Sequence, residues 1–270
     1  MELNRRWVEH ARGGETMTAY LVVPPRVTRP LPAVMVIMEI WGPDLHIQDV
    51  ADRLAMAGYA ALAPDLYSRG GRPAELAPER IEAVKDFMNT VPPGAWGDQK
   101  VLQEHLGRLP GDEGAKIGAT LGKLFGPRDM DGMLEDLVSW VGWLKDAPET
   151  RGMPVASTGY CMGGTLSFAL ATRVPGLRAA LCYYGTAPDP DKMATIACPV
   201  YGFYGETDTR ITSRVPEVEK AMKAHDKFYE PHVYPGAGHA FFNDSRSSYN
   251  VDASRDAWAR TLEIFRRVLA

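Results

Sequence analysis

The residue with the clearest chemical context is Cys161. It stands in the run Gly159-Tyr160-Cys161-Met162-Gly163-Gly164. This is the G-x-S-x-G pattern of a nucleophile elbow with cysteine at the serine position. An apolar run, Pro154 to Thr158, precedes it, and a helical pattern, Met162 to Thr172, follows. A strand that turns sharply into a helix leaves no room for side chains at Gly159 and Gly163. The turn thrusts the middle side chain out at the carboxyl end of a sheet, where open α/β sheets place their ligands. A helix N-terminus favours thiolate over thiol, and the Met162 N–H is placed to donate to an oxyanion. The competing reading is a structural cysteine in a glycine-rich turn. That reading suits Cys182, in an apolar strand, and Cys198, before Pro199. A phosphate-binding loop fits less well, because neither G-x-x-x-x-G-K-[ST] nor G-x-G-x-x-G is present.

A nucleophile of this kind needs a base and an acid, which follow it along the chain in that fold as nucleophile, acid, base. After the strand-like run Pro199 to Tyr204 comes Gly205-Glu206-Thr207-Asp208. After Lys227 to Tyr234 comes Pro235-Gly236-Ala237-Gly238-His239. Both segments are strand-end loops, so both side chains can converge on the elbow. His239 suits a general base and then a general acid, with Asp208 orienting its ring. Glu206 is the rival acid; the shorter aspartate deeper in the turn suits a fixed imidazole better. The other histidines, His10, His46, His105, His225 and His232, lack such context.

These groups must be carried by an alternating α/β chain. Trp7–His10 and Met17–Val23 flank Gly13-Gly14 and predict a hairpin. Leu31–Met38 reads as a buried strand, Leu45–Ala57 as a helix ended by Gly58, and Tyr59–Ala63 as the next strand. Ile81–Met88 and Met130–Leu144 read as helices, the latter carrying Met133, Leu137, Trp140, Val141 and Leu144 on one stripe. Further strands are predicted at Arg178–Tyr183, Pro199–Tyr204 and Lys227–Tyr234, and helices at Val215–Ala224 and Ala253–Leu269. The alternation implies a mostly parallel central sheet with helices on both faces. Between Pro73 and Phe125 the pattern fails: VPPGAWGDQK is loop-like and Leu121 to Pro127 shows no clear period. The expectation is one domain over residues 1–270, with an insertion or elaboration at about 73–127.

At 270 residues the chain can bury a large core without staples. A net charge of -4 provides no basic footprint for nucleic acid. Three cysteines make no disulfide framework, and no C-x-x-C pair suggests zinc. The polar start MELNRRWVEH lacks the apolar segment of a signal peptide, and no run suits a membrane span. The expectation is a soluble, cytoplasmic protein without nucleic-acid or membrane partners; oligomeric state is not legible.

Taken together, the residues resemble the dienelactone hydrolase (carboxymethylenebutenolidase) family of the α/β-hydrolase superfamily. The resemblance rests on Met38-Glu39-Ile40-Trp41-Gly42, Gly58-Tyr59-Ala60-Ala61, Pro64-Asp65-Leu66-Tyr67, the cysteine elbow, Gly205-Glu206-Thr207-Asp208 and Gly238-His239-Ala240-Phe241. It implies an α/β-hydrolase fold and a triad of Cys161, Asp208 and His239. It also implies that Glu39 pairs with the resting cysteine and helps to generate thiolate, and that the N–H groups of Ile40 and Met162 form the oxyanion hole. No metal or organic cofactor is implied. Members acting on the anionic dienelactone resemble H-S-F-x-R at the histidine, whereas this chain reads His239-Ala240-Phe241-Phe242-Asn243. The serine and the substrate-binding arginine are absent there. Arg69, Arg72 and Arg80 are other cations. Trp41, Tyr67, Phe241 and Phe242 suggest an aromatic pocket for a neutral small ester or lactone. The expected reaction is cysteine-dependent ester or lactone hydrolysis through a thioester. The alternatives are a promiscuous esterase or thioesterase on the same triad, and a non-enzymatic binding protein of this fold.

Overall fold

The computed structural model describes residues 2–92 and 98–270. The segment VPPGAWGDQK, expected to be a loop, lies partly outside the described residues. The chain divides into two compact units, residues 1–66 with 130–270, and residues 67–129.

The larger unit is built on one eight-stranded sheet. Its strands are β1 (Asn4–Arg12), β2 (Glu15–Val23), β3 (Ala33–Ile37), β4 (Ala60–Pro64), β5 (Val155–Tyr160), β6 (Leu177–Tyr183), β7 (Val200–Gly205) and β8 (Tyr229–Tyr234). They lie in the order β1-β2-β4-β3-β5-β6-β7-β8. β1 and β2 form the predicted hairpin, and Gly13 and Gly14 supply the positive φ angles, 60° and 84°, that its tight turn needs. β2 also meets β4 antiparallel, while every pairing from β4 through β8 is parallel. β3, β4, β5 and β7 are buried along their whole length, which explains their near-continuous apolar sequences. The hairpin strand β1 takes one edge and alternates exposed with half-buried residues.

Helices flank the sheet: α1 (Leu45–Met56), α5 (Met130–Asp146), α6 (Met162–Ala171), the short α7 (Pro190–Met193) and α8 (Thr209–Thr212), α9 (Val215–Ala224) and α10 (Val251–Val268). α1 begins on Asp44, whose side chain accepts from Ile47 N–H. α10 is fixed to the sheet by the buried Tyr183 hydroxyl, which reaches Ala257 O at 3.0 Å and the Thr261 hydroxyl at 2.6 Å. No helix among the described residues is long and apolar enough to cross a membrane.

The smaller unit holds α2 (Pro78–Thr90), α3 (Gln99–Gly107) and α4 (Glu113–Phe125). Ile81, Val84 and Phe87 of α2, Leu106 of α3, and Ile117, Leu121 and Leu124 of α4 are among its buried apolar residues. The aperiodic reading of Leu121 to Pro127 is therefore corrected, because Leu121–Phe125 completes a helix. Gly114, Gly118 and Gly122 dilute the pattern, yet Gly114 has a packing reason. A Cβ there would stand 2.1 Å from Leu106 O, so α3 and α4 meet at that point.

The tightest packing is around α6. A Cβ on Gly163 would lie 2.2 Å from Ile37 O and 2.5 Å from Met38 O. Those atoms are backbone and cannot swing aside. Gly163→Ala is therefore expected to destabilise the fold by about 2 kcal/mol or more, the cost of overpacking a fixed contact. Urea denaturation checks this; an unchanged midpoint would mean that α6 can back away from β3.

Candidate active site

Five adjacent parallel strands, β3, β5, β6, β7 and β8, end on one rim of the sheet. Glu39, Cys161, Tyr184, Asp208 and His239 follow them in that order. The chain passes from β3 outward to β4 and later returns to β5 on the other side, so β3 and β5 flank the topological switch point. Ile37 pairs with Gly159 at the end of their ladder. Two residues further on each strand stand Glu39 and Cys161.

Cys161 caps α6 with φ 55° and ψ -114°, a backbone conformation that L residues avoid. Its N–H donates to Tyr183 O at 3.0 Å, and its carbonyl accepts from Thr165 N–H at 3.2 Å. The glycines beside it permit this turn. A Cβ on Gly159 would meet Gly163 O at 1.9 Å, and one on Gly164 would meet Tyr183 O at 2.4 Å. Tyr184 (φ 39°) and Ala240 (φ 59°) are strained in the same sense. Three of the five non-glycine residues with positive φ among the described residues thus sit on this rim, which is where strain tends to accompany function. Cys161 is half-buried, whereas Cys182 and Cys198 are buried. Burial pushes the Cys182 thiol up to about 12 and the Cys198 thiol up to about 11, as befits inert core cysteines.

His239 Nδ1 and Asp208 Oδ2 are 2.6 Å apart. Burial of His239 disfavours its charged form. Hydrogen bonds to Asp208 and Cys161, and the charges of both, outweigh that and push its pKa up to about 10. The rival acid Glu206 points elsewhere, accepting from Gly236 N–H at 2.9 Å. The histidine is thus flanked by Asp208 on one side and Cys161 on the other.

Glu39 is only 2 % exposed. Its Oε1 accepts from the Tyr184 hydroxyl at 3.1 Å, and its Oε2 from Asn243 Nδ2 at 2.8 Å. The expected pairing of Glu39 with the resting cysteine is replaced here by these two donors. Tyr184 was not legible as a site residue: its ring stands 5.2 Å from that of His239, and its hydroxyl feels the charges of Glu39 and Cys161. Its only sequence signal was its place directly after an apolar strand. Ile40 and Trp41 are the central residues of the turn from Glu39 to Gly42, where Gly42 N–H reaches Glu39 O at 3.4 Å and takes φ 82°. Met162 opens α6, where helical N–H groups lack partners within the helix.

The residues expected to line an aromatic pocket divide. Trp41 is buried under the Arg246 guanidinium, 5.2 Å from its ring. Tyr67 belongs to the smaller unit, with Arg72 5.8 Å over its ring. Phe241 and Phe242 differ from the expected lining. They are 0 % and 3 % exposed and pack against Tyr183, Tyr184, Tyr160 and Trp258. They form the core beneath the histidine loop, because aromatic rings that can stack on one another bury there.

A titration separates the two influences on His239. Its imidazole resonances, followed by NMR, are expected to titrate near pH 10 in the wild type. In Cys161→Ala the midpoint should fall, because a neighbouring anion and a hydrogen bond are lost. An unmoved midpoint would mean that Asp208 alone holds the proton.

Comparison with known proteins gives a consistent result. The model of the dienelactone hydrolase family matches residues 17–269. A protein from Saccharolobus solfataricus named as a carboxymethylenebutenolidase is 36% identical over 256 residues, covering 94% of this chain and 95% of its own length. A Bradyrhizobium protein named as a 2-oxo-3-(5-oxofuran-2-ylidene)propanoate lactonase is 31% identical over 268 residues, covering 95% and 91%. Among solved structures, that of a dienelactone hydrolase from Klebsiella pneumoniae superposes with a TM-score of 0.70 at 28% identity, covering 98% of this chain and 99% of its own.

Proposed function

Since this chain belongs to the dienelactone hydrolase family and is a carboxylic-ester hydrolase of that type, we propose that it cleaves a small ester or lactone with Cys161 as nucleophile. The observation that carries this reading is the line of Asp208, His239 and Cys161 across three strand ends, with His239 Nδ1 2.6 Å from Asp208 Oδ2 and the imidazole's pKa raised by Asp208 and Cys161 together.

In the proposed reaction the Cys161 thiolate attacks the carbonyl carbon. The carbonyl oxygen becomes an oxyanion held by the N–H groups of Ile40 and Met162, donors that are fixed before the reaction starts. Collapse of the tetrahedral intermediate expels the alkoxide, which His239 protonates, and leaves a thioester on Cys161. Acylation also changes the histidine. With the thiolate consumed and the proton delivered to the leaving group, one of the charges that held His239 protonated is gone. The neutral imidazole can then take a proton from water. Hydroxide attack on the thioester releases the acid and regenerates the thiolate, with its imidazolium partner. Asp208 steadies the ring through both steps.

The nucleophile is tested by measuring hydrolysis of p-nitrophenyl acetate, p-nitrophenyl butyrate, a neutral lactone and a cis-dienelactone by wild type and Cys161→Ala. Loss of at least about 10³-fold in kcat/KM on the best substrate is expected. Rapid quench should trap an acyl group on Cys161. Turnover that survives the substitution would remove Cys161 from the mechanism. Ranking of the panel identifies the substrate class, since one relative is named for a carboxylated lactone.

A further inference from the structure

Glu206 rivals Asp208 in the sequence, yet its carboxylate goes to a backbone N–H of the histidine loop. β7 and β8 pair in parallel up to Gly205 and Tyr234. Continued in that register, the ladder would set Asp208 opposite Ala237. Asp208 meets His239 instead, two positions later. The extra residues are taken up by a turn, Tyr234-Pro235-Gly236-Ala237. Ala237 N–H donates to Tyr234 O at 3.3 Å, and Gly236 has φ 69°. Proline in second place and a positive-φ glycine in third are the marks of a type II turn. The turn's own hydrogen bond uses the N–H of its fourth residue and leaves that of the third without a partner. Here the third is Gly236, and its N–H donates to Glu206 Oε2 at 2.9 Å.

The two loops close on each other around this contact. Glu206 N–H donates to Tyr234 O at 3.0 Å. Ala237 O accepts from Thr207 N–H at 2.9 Å and from the Thr207 hydroxyl at 3.0 Å. A Cβ on Gly205 would stand 2.5 Å from Gly238 O, so the backbones touch there. The turn hangs between two anchored rings. The Tyr234 hydroxyl donates to Asp256 Oδ2 at 3.0 Å, and Phe241 lies in the core. Between these anchors Glu206 grips the middle of the turn and Thr207 its end.

We infer that Glu206 is a positioning residue for the triad: by accepting the Gly236 N–H, its carboxylate holds the turn in the form that sets His239 opposite Asp208. This rests on the reading that His239, oriented by Asp208, is the acid and base of the reaction. The pull between Asp208 and His239 changes as the imidazole gains and loses a proton. The contact between Glu206 and Gly236 does not change with it, because neither group takes part in the proton transfers. It keeps the ring in place when His239 is neutral and the pull of Asp208 is weakest. A glutamine offers the same acceptor without the charge, so acceptance is the property that matters.

The test compares Glu206→Ala with Glu206→Gln on two kinds of ester. Glu206 is exposed, so neither substitution disturbs the core. Expulsion of an alkoxide from an alkyl ester or lactone needs the proton of His239, whereas p-nitrophenolate leaves without one. In Glu206→Ala, kcat/KM on the best alkyl ester or lactone should fall about tenfold, and on p-nitrophenyl acetate about twofold or less. Asp208 and Cys161 hold the His239 proton in the wild type. Its midpoint, followed by NMR, should therefore fall by about one pH unit in Glu206→Ala as the Asp208 contact loosens. Glu206→Gln should recover most of both losses. The two substitutions remove the same charge, so a midpoint that falls equally in both would assign the effect to charge and overturn the proposal. Equal losses on the two kinds of ester would overturn it too, as would wild-type kinetics in Glu206→Ala with only a lower Tm. His239→Asn separates the two levels. If it cleaves the alkyl substrate like wild type, the acid–base reading falls and takes this proposal with it. If it is crippled while Glu206→Ala keeps the wild-type ratio between the substrates, only the positioning role falls.

Discussion

The contact on which the rest depends is the approach of the α6 N-terminus to three strands at once. Gly159, Gly163 and Gly164 bring backbone to within Cβ-excluding distance of β5, β3 and the end of β6. Any side chain at these positions would push the helix outward. The approach forces Cys161 into a positive φ and lifts its side chain onto the rim. It also sets the first N–H groups of α6 beside the Cys161 side chain, where the helix dipole favours negative charge. The Ser157 and Ser167 hydroxyls, 2.8 Å apart and buried, tie β5 to α6 behind the turn. The strained Cys161 therefore rests on a rigid base, as preorganisation of a site requires.

The parallel order of the sheet does the remaining positioning. Residues far apart in the chain become neighbours because each follows one of five adjacent strands that all end on the same side. That is why the order expected of the fold pointed to Asp208 and His239, which the structure places 2.6 Å apart. Each lay in a short loop after a strand-like run, and both signals were local. Fold class was legible for the same reason. Strand and helix alternate strongly outside residues 67–129, and each buried strand announces itself as a short apolar run.

What escaped the sequence was non-local or diluted. Asn243 and Glu39 are 204 positions apart, and nothing in the composition around Asn243 marks it as a partner for a buried carboxylate. Tyr184 is one of several tyrosines on neighbouring strands; its contact with Glu39 depends on a strained φ and on which way its hydroxyl points. Phe241 and Phe242 looked like pocket walls because they follow the histidine. Their rings instead join Tyr160, Tyr183 and Tyr184 in the core, where stacking and burial outweigh exposure to a ligand. In the smaller unit, glycines within α4 weakened a real helical spacing of Ile117, Leu121 and Leu124. Glycine lowers helix propensity, but packing between helices supplies what propensity lacks.

The two carboxylates on the rim are held in physically different ways, and the difference suits different tasks. Asp208 faces an imidazole, a partner whose own charge changes during the proposed reaction. Each gain of a proton by His239 strengthens that pair and each loss weakens it, so the histidine can be drawn back to its charged form after every step. Glu39 faces two neutral donors. Their pull does not vary with the charge of a partner, so the carboxylate keeps its place while charge moves elsewhere. A cation at residue 243 would add a long-range attraction for any anion entering the site, at the same time as it held Glu39. The buried amide separates these effects: it orients the carboxylate through one short hydrogen bond and adds no net charge to the rim. Orientation of Glu39 and attraction of substrate thereby become independent properties of the site, and substrate charge must be read by groups other than residue 243.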